Sequence, residues 1–178
     1  MFKKMLLGGL VAMVVFAGVL AGSAGTANAA AADGRGTGSG TAQTAVAVTP
    51  LTQVEKDALV RAIQEEYLAR DLYQSIINTF GNVTPFSRIV KSEQQHVSAL
   101  ITQATKYGVP VPSPAANTFP IFASLSAACQ AGVDAEIADA ALYDELKPVT
   151  THADILQVYT RLQSASLNSH LPAFEVCR

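Results

Sequence analysis

The residues of this chain best suited to chemistry are a glutamate and a histidine three positions apart, Glu93 and His96. On a helix, side chains at this spacing lie on one face, so a carboxylate and an imidazole can share one bound ion. Such pairs also arise by chance on polar helix faces. Here Val97 and Leu100 lie one turn after Glu93 and His96, so the pair borders the apolar side and is predicted to point into a helical bundle.

Other segments carry ligand-type side chains in apolar surroundings. Glu66 lies on the same helical side as Ile63, and His170 is flanked by leucines. Glu136 and Asp139 lie in an alanine-rich stretch, where a carboxylate needs a partner. Carboxylates and imidazoles in an interior site suit iron, manganese or zinc better than calcium or copper(I). The sequence therefore predicts a buried metal site with six candidate ligands: Glu66, Glu93, His96, Glu136, Asp139 and His170.

Four helical segments are predicted to position these residues. Apolar residues recur at helical spacing along the first two segments, and glycines and prolines separate the segments. Thr52 and Glu55 form a capping-box pattern at the start of the first helix, and Thr151 and Asp154 are predicted to cap the fourth. Pro172 is predicted to kink the fourth helix or to free a carbonyl near its end. The predicted helices span about residues 52–79, 85–107, 126–146 and 151–176.

The links between these helices predict their arrangement. The first and second helices are joined by a few residues, as are the third and fourth, so each pair is predicted to be antiparallel. Residues 108–124 include four prolines and are predicted to form an irregular crossover. The predicted fold is all-α: a ferritin-like four-helix bundle made of two antiparallel hairpins joined by a long crossover.

The N-terminus has the order of features expected of a secretory signal peptide. Lys3 and Lys4 precede an apolar stretch, and Ala27-Asn28-Ala29 supplies small residues for cleavage. An uncleaved membrane anchor is the alternative interpretation. We predict a signal peptide over residues 1–29, a flexible low-complexity leader over 30–50 and one domain over 51–178. The mature protein is predicted to be periplasmic or secreted.

The charge of the mature chain argues against nucleic acid as a partner. Removal of Lys3 and Lys4 lowers the basic count from 12 to 10 against 14 acidic residues, so the net charge is about −4. The chain has no basic run or basic-aromatic patch of the kind that binds phosphate backbones. After signal removal, no remaining segment is expected to span a membrane.

The two cysteines give an independent prediction of helix register. Cys129 lies seven residues before Glu136, and Cys177 lies seven after His170, intervals of about 10 Å along a helix. If the third and fourth helices are antiparallel, a disulfide between the cysteines places Glu136 and His170 at one level. In an exported chain with two cysteines a disulfide is the expected state, with free thiols as the alternative.

Four motifs resemble those of a known group of proteins. Residues 66–73, EYLARDLY, are similar to the first-helix motif of rubrerythrin-type ferritin-like proteins. They are more similar still to the Glu-x-x-Ala-Arg-Asp-x-Tyr motif of an uncharacterised ferritin-like domain family, a domain of unknown function found in bacteria and archaea. Residues 92–96, 132–139 and 170–174 resemble the second-helix, third-helix and closing motifs of that family. The resemblance covers about residues 52–174, the whole predicted domain.

The resemblance implies a two-metal carboxylate site within the ferritin-like superfamily. The metal it implies is iron, as a di-iron pair, with manganese or zinc as alternatives. It also implies that the bridging ligands are Glu66 and Glu136 and that the terminal ligands are Glu93, His96 and His170.

One ligand of the full ferritin-like set is absent. That set has a second Glu-x-x-His motif in the fourth helix, but Leu167 stands three residues before His170. Asp139, one turn from Glu136, is the candidate replacement. Without it the site is expected to be mononuclear, unsymmetrical or empty.

Two functions of different classes follow. The first is a metal-dependent redox protein that reacts with peroxide or dioxygen, with Tyr67 or Tyr73 lining its site. Because the chain has no cysteine-rich, rubredoxin-like segment, that protein needs an external electron donor. The second is a bundle that binds no metal and serves as an envelope binding or structural module, with Glu66, Glu93 and His96 in a hydrogen-bonded network. Iron storage in a large shell ranks below both.

Overall fold

The computed structural model describes residues 49–178, which form helices joined by turns and irregular segments. The predicted signal peptide and residues 30–48 of the predicted leader lie outside the described residues. No helix in the described part of the chain combines the length and apolar character needed to cross a membrane. The helices are α1 (Gln53–Phe80), α2 (Phe86–Lys106), α3 (Leu125–Leu146), α4 (Ala153–Ala165) and α5 (Leu171–Cys177), with a 3₁₀ turn at Lys147–Val149 and a π-helical turn at Ser166–His170.

The start of α1 is fixed by a reciprocal cap. The Thr52 hydroxyl accepts a hydrogen bond from the Glu55 amide, and the Glu55 carboxylate accepts one from the Thr52 amide at 2.9 Å. Both amides lack a partner within the helix, so the cap satisfies them. The predicted capping box is confirmed. At the other end, Gly81 has a φ of 85°, a value that glycine adopts readily, and α1 stops there.

The first two helices form an antiparallel hairpin. Leu59 near the start of α1 and Leu100 near the end of α2 belong to one apolar cluster. Ile76 near the end of α1 and Phe86 at the start of α2 belong to a second apolar cluster. Since opposite ends of the two helices meet, the short link at residues 81–85 reverses the chain, as predicted.

The third helix forms a similar hairpin with α4 and α5. Leu146 and Ile155 meet in the first cluster, and Cys129 and Phe174 meet in the second. Residues 107–124 form no helix or strand and connect the end of α2 to the start of α3. Both α2 and α3 therefore run from the second cluster to the first, and the described residues form an all-α bundle.

A layer of buried polar residues lies between the two apolar clusters. Along α1, Ile63 belongs to the first cluster and Tyr73 to the second, and Glu66 lies between them at 1% exposure. Charged groups in a core are costly unless they have partners, so the members of this layer require one another. The other buried members on α2, α3 and the π turn are Glu93, His96, Glu136, Asp139, Ser166 and His170.

The start of α4 differs from the prediction. The amide and hydroxyl of Thr151 both donate to Oε1 of Glu55 at 2.8 Å. Asp154 accepts instead from Lys106 and from the Tyr107 hydroxyl. The predicted capping pair of Thr151 and Asp154 is therefore wrong, because a buried carboxylate from α1 takes the donors that the pair would use.

The predicted fourth helix is divided by the π turn. The Leu171 amide donates to the Ser166 carbonyl, five residues earlier, as in a π-helix. Pro172, which has no backbone N–H, lies in the first turn of α5, where a missing donor is tolerated. The proline was predicted to kink the helix or free a carbonyl, and the structure has a widened turn directly before it.

The structure pairs Cys129 of α3 with Cys177 of α5, with Cα atoms 5.7 Å apart, in the range that disulfides span. The same helical pairing brings Glu136 Oε2 to 3.4 Å from Nδ1 of His170. The two seven-residue intervals predicted that Glu136 and His170 lie at the same level of the bundle, and the structure places them there.

Candidate metal centre

The helices α1 and α3 each contribute one buried glutamate to the polar layer, Glu66 and Glu136. Seven residues after each glutamate the same helix carries a tyrosine, and each tyrosine reaches the glutamate of the other helix. The Tyr73 hydroxyl donates to Oε1 of Glu136 at 2.6 Å, and the Tyr143 hydroxyl donates to Oε1 of Glu66 at 2.5 Å. These reciprocal bonds leave Oε2 of each glutamate facing an imidazole.

The helix α2 contributes Glu93 and His96, and the π turn contributes His170, each at most 6% exposed. Nδ1 of His96 lies 2.9 Å from Oε2 of Glu93 and 3.1 Å from Oε2 of Glu66. Nδ1 of His170 lies 2.9 Å from Oε1 of Glu93 and 3.4 Å from Oε2 of Glu136. The imidazole rings are stacked with centroids 5.4 Å apart. Each imidazole therefore lies between two carboxylates.

These contacts define two clusters that share one residue. Glu66, Glu93 and His96 form the first ligand cluster, and Glu93, Glu136 and His170 form the second; within each, the ligand atoms lie within 4.8 Å of one another. Glu93 presents one oxygen to each cluster and so occupies the position of a bridging ligand. The resemblance implied Glu66 and Glu136 as the bridging residues, and each of these two belongs to one cluster alone. Sequence spacing does not show which carboxylate lies between the two imidazoles.

Two buried atoms of the second ligand cluster lack a hydrogen bond. Oε1 of Glu93 and Nδ1 of His170 are 2.9 Å apart, but neither makes a hydrogen bond of acceptable geometry among the described residues. Leaving a buried polar atom unpaired costs about 1–3 kcal/mol. A cation bound by both atoms would satisfy both, and imidazole nitrogen with carboxylate oxygen is a donor set suited to iron, manganese or zinc. The residues present therefore fit a metal ion.

Asp139, the remaining candidate ligand, lies in the polar layer but outside both ligand clusters. Its Oδ2 accepts a hydrogen bond from the Ser166 hydroxyl at 2.6 Å, and its buried Oδ1 has no hydrogen-bond partner among residues 49–178. Asp139 is thus a buried carboxylate with one oxygen available.

The π turn lies at the position where the sequence lacks the expected fourth-helix glutamate. The expected ligand position, three residues before His170, assumed α-helical spacing. In the π turn, Ser166 is 1% exposed and Leu167 is 41% exposed, so the side chain four residues before His170 faces the core. That inward serine holds Asp139, and the layer keeps a fourth carboxylate even though Leu167 supplies none.

Burial and mutual contact shift the pKa values in this layer. Burial raises the pKa of Glu66 well above its ordinary value and raises the pKa of Asp139 to about 7. Burial alone lowers the pKa of an imidazole, but the surrounding carboxylates outweigh it. They raise the pKa of His96 to about 10 and that of His170 to about 9. Without a bound cation, both imidazoles are therefore protonated at neutral pH and paired with carboxylates.

Three side chains of the site were not singled out as contributors by the sequence. Tyr143 repeats the seven-residue interval between Glu66 and Tyr73, and this repeat is a signal that could have found it. Ser92 and Ser166 carry no comparable signal, because Ser92 meets His170 and Ser166 meets Asp139 across the bundle. Of the two tyrosines predicted as alternative lining residues, Tyr73 contacts Glu136 and Tyr67 packs in the first apolar cluster.

A surface pocket of about 310 Å³ reaches the polar layer. Its lining includes the buried imidazole of His170 and the hydroxyl-bearing Ser92, and Arg88 is its charged residue. Small molecules therefore have a route from solvent to one of the two imidazoles. The remaining lining residues are Thr84, Pro85, Ile89, Ser169 and Ala173.

Fold and site together define a class: an all-helical bundle with two carboxylate–imidazole clusters in its core. The chain belongs to the family described as an uncharacterized protein domain, DUF2202, whose family model matches residues 55–176. That match contains all six candidate ligands, the whole of α3 and all of α5 except Cys177.

Relatives of the chain support the same family and fold. The uncharacterized protein MJ0754 of Methanocaldococcus jannaschii is 30% identical over 141 residues, which cover 70% of this chain and 75% of that protein. The crystal structure of hypothetical protein MJ0754 from Methanococcus jannaschii DSM 2661 matches with a TM-score of 0.63 at 28% identity, covering 74% and 83% of the two chains. The crystal structure of a conserved hypothetical protein, rv2844, from Mycobacterium tuberculosis also gives a TM-score of 0.63, covering 71% and 98%. Its identity of 17% indicates a shared fold alone.

Proposed function

We propose that this protein is a metal-binding member of the ferritin-like superfamily, related to rubrerythrins, that holds two metal ions in its core. The observation that carries the proposal is the sharing of Glu93 by two buried carboxylate–imidazole clusters. A carboxylate placed between two imidazoles, each with its own second glutamate, is the arrangement that a dinuclear site requires. The topology of two antiparallel hairpins and one crossover supports the same relationship.

The charges of the polar layer favour two divalent ions. If both imidazoles are neutral, the four buried carboxylates of the layer carry a charge of −4 when ionised. Two divalent cations balance that charge. The residues that would hold the ions are Glu66 and His96 on one side, Glu136 and His170 on the other, and Glu93 between them. Asp139 is a further candidate ligand, because its Oδ1 has no hydrogen-bond partner among the described residues.

Iron is the proposed metal, with manganese or zinc as alternatives, because carboxylate and imidazole donors suit all three. Bound iron would supply redox chemistry toward dioxygen or peroxide. The chain itself contributes the buried surroundings and the pocket beside His170 that admits small molecules. Both cysteines are paired with each other, so an external electron donor is part of the proposal.

The proposed location is outside the cytoplasm, in a periplasm or secreted. The signal-peptide pattern of residues 1–29 supports export, and the Cys129–Cys177 pairing suits an oxidising compartment. N-terminal sequencing of the protein recovered from a bacterial periplasm tests this part. A mature start at Ala30 is expected, and recovery of the uncleaved chain in membranes contradicts it.

A second candidate function is supported by a different observation. The imidazoles and carboxylates of the layer are ion-paired with one another without any cation, at 2.9–3.4 Å. A paired network of this kind can serve the fold alone, in a bundle acting as an envelope binding or structural module. Within this network, however, Oε1 of Glu93 and Nδ1 of His170 make no hydrogen bond of acceptable geometry, which favours the metal site over this alternative.

Elemental analysis of the full chain, expressed with its signal in medium containing iron, manganese and zinc, separates the two candidates. The test variant is His96→Ala combined with Glu136→Ala, which removes one ligand from each cluster. Glu65→Gln is the matched control, because Glu65 neighbours Glu66 on α1 but belongs to neither cluster. Two equivalents of metal, retained in the control and lost in the double variant, support the proposal. Negligible metal in the folded wild-type protein contradicts it and leaves the second candidate.

A further inference from the structure

Ser92 occupies a distinctive position between the two candidate ligand histidines. Its Oγ lies 3.3 Å from Nε2 of His96 and 3.0 Å from Nε2 of His170. Nδ1 of each ring faces the carboxylates of the polar layer, so Nε2 is the outward nitrogen in both rings. One hydroxyl thus contacts the outer edge of both imidazoles.

The chemistry of a hydroxyl limits how this contact can be made. A serine oxygen has two lone pairs and one proton, so it can accept one hydrogen bond from each ring. If the hydroxyl donates to one ring instead, that ring carries its proton on Nδ1 and cannot bind a cation there. Only the arrangement in which both rings donate from Nε2 leaves both Nδ1 lone pairs available to cations held by the carboxylates.

We propose that Ser92 is a positioning residue that accepts an Nε2–H hydrogen bond from both His96 and His170 and so presents both Nδ1 atoms to the metal ions. The inference rests on the proposed metal-binding function and extends it to a residue that is not itself a ligand. Partners of this kind orient ligand imidazoles and fix their tautomer.

The hydroxyl proton of Ser92 can point away from both imidazoles, because Ser92 also lines the surface pocket. Ser92 is half-buried and lines the pocket that contains Arg88 and His170. With both lone pairs used by the rings, the hydroxyl proton is free to donate to a molecule in the pocket. The same side chain therefore contacts both imidazoles and lines the pocket that reaches His170.

Two variants of equal shape test the role of the hydroxyl. Ser92→Thr keeps it, and Ser92→Val replaces it by a methyl group in a side chain of the same shape. We expect Ser92→Val to weaken Zn²⁺ binding by about 10–100-fold, measured by competition with a chelating dye, and Ser92→Thr to stay close to the wild type. Ser98→Ala is the control, because Ser98 lies on the same helix, is exposed and donates to a backbone carbonyl.

A second measurement does not depend on metal. In the metal-free protein, the Nε2–H protons of both rings are expected to be protected from exchange in nuclear magnetic resonance spectra of the wild type and of Ser92→Thr, and to lose protection in Ser92→Val. If the wild type binds zinc and the Thr and Val variants bind it equally well, the proposed role of Ser92 is wrong and the metal site is unaffected. Absence of zinc binding in wild type overturns the proposed function, and protection that persists in Ser92→Val then overturns the role of Ser92 as well.

Discussion

The Tyr73 hydroxyl of α1 donates a 2.6 Å hydrogen bond to Glu136 of α3. The reciprocal pair, Tyr143 and Glu66, joins the same helices in the opposite direction. Burial, followed by the adjacent carboxylate, raises the pKa of both tyrosines well above the ordinary value, so both remain protonated donors at neutral pH. The two bonds therefore hold the outer glutamates of both ligand clusters in place from opposite sides.

Replacing Tyr73 by phenylalanine should destabilise the metal-free protein. The change leaves Oε1 of a buried glutamate without its donor, at a cost of about 1–3 kcal/mol in the free energy of unfolding. Chemical denaturation measures the loss. Tyr159→Phe is the matched control, since the buried Tyr159 hydroxyl has no hydrogen-bond partner among the described residues and its removal should cost little. Equal losses in the two variants would contradict the role given to Tyr73.

Removing Glu93 should abolish both metal positions, whereas removing an outer glutamate should spare one. Glu93 belongs to both ligand clusters, but Glu136 belongs to the second alone. Elemental analysis is expected to find negligible metal in Glu93→Ala and about half of the wild-type content in Glu136→Ala. If Glu93→Ala keeps more metal than Glu136→Ala, Glu93 is not the shared ligand.

Filling the pocket should slow the approach of small molecules without removing metal. Ala173 lines the pocket beside His170, so Ala173→Phe places a ring in that space. We expect the iron-loaded variant to consume hydrogen peroxide about tenfold more slowly, equivalent to about 1.4 kcal/mol in the barrier. Glu175→Phe, an exposed position on the same helix, should match the wild type. An unchanged rate in Ala173→Phe with equal metal content would show that access runs elsewhere.

A methyl group at Gly132 should destabilise the bundle even though alanine favours a helix. A Cβ built on Gly132 lies 2.6–2.8 Å from three ring atoms of Phe174, which is fully buried against Tyr73 and Phe86. Overpacking of this kind costs about 1–3 kcal/mol, against a gain of about 1 kcal/mol in helix propensity. Thermal unfolding of Gly132→Ala checks the sign. Adding Phe174→Leu makes room for the methyl, so the double variant should lose less than the sum of the single losses.

The contact between Glu55 and His152 should make stability depend on pH. Burial would raise the pKa of Glu55, but hydrogen bonds from His152, Thr151 and Thr52 lower it overall; the hydrogen bond to Glu55 raises the pKa of His152. The carboxylate contribution is present above its ordinary pKa of 4.5 and is lost as pH falls. The imidazole contribution is complete below its ordinary pKa of 6.5 and is lost as pH rises through the raised value.

The expected result is a stability difference between wild type and His152→Gln that is largest between about pH 4.5 and 6.5 and on the order of 1 kcal/mol. Denaturant titrations across that range and above it provide the measurement. Comparing the two proteins isolates His152 from the other histidines, whose titration is common to both. Asp154 also faces His152, so the comparison is repeated in an Asp154→Asn background. A difference that grows with rising pH contradicts the assignment.

Local patterns in the sequence were enough to predict the helices and most of the polar layer. The Thr52–Glu55 cap depends on residues three apart, and the chain forms it. The intervals from Cys129 to Glu136 and from His170 to Cys177 gave the register of α3 against the last helical segment, because helix rise is regular. These features require no knowledge of which helix lies beside which.

Contacts between distant segments required the tertiary structure. Thr151 donates to a carboxylate 96 residues away, so its local capping pattern is not used. Glu93 becomes the shared residue only because two histidines from different helices approach its two oxygens. Ser92 meets His170 across 78 residues of sequence.

The fourth helix shows the physical reason most clearly. Sequence spacing assumed a regular α-helix and made Leu167 the expected ligand position, whereas the structure has a π turn before Pro172 and buries Ser166 while Leu167 is exposed. Periodicity in the sequence was enough to predict which residues are helical and which polar side chains face the core. The packing of the helices against one another decided which of those side chains meet, because the free energy of a buried charge depends on partners that lie far away in the sequence.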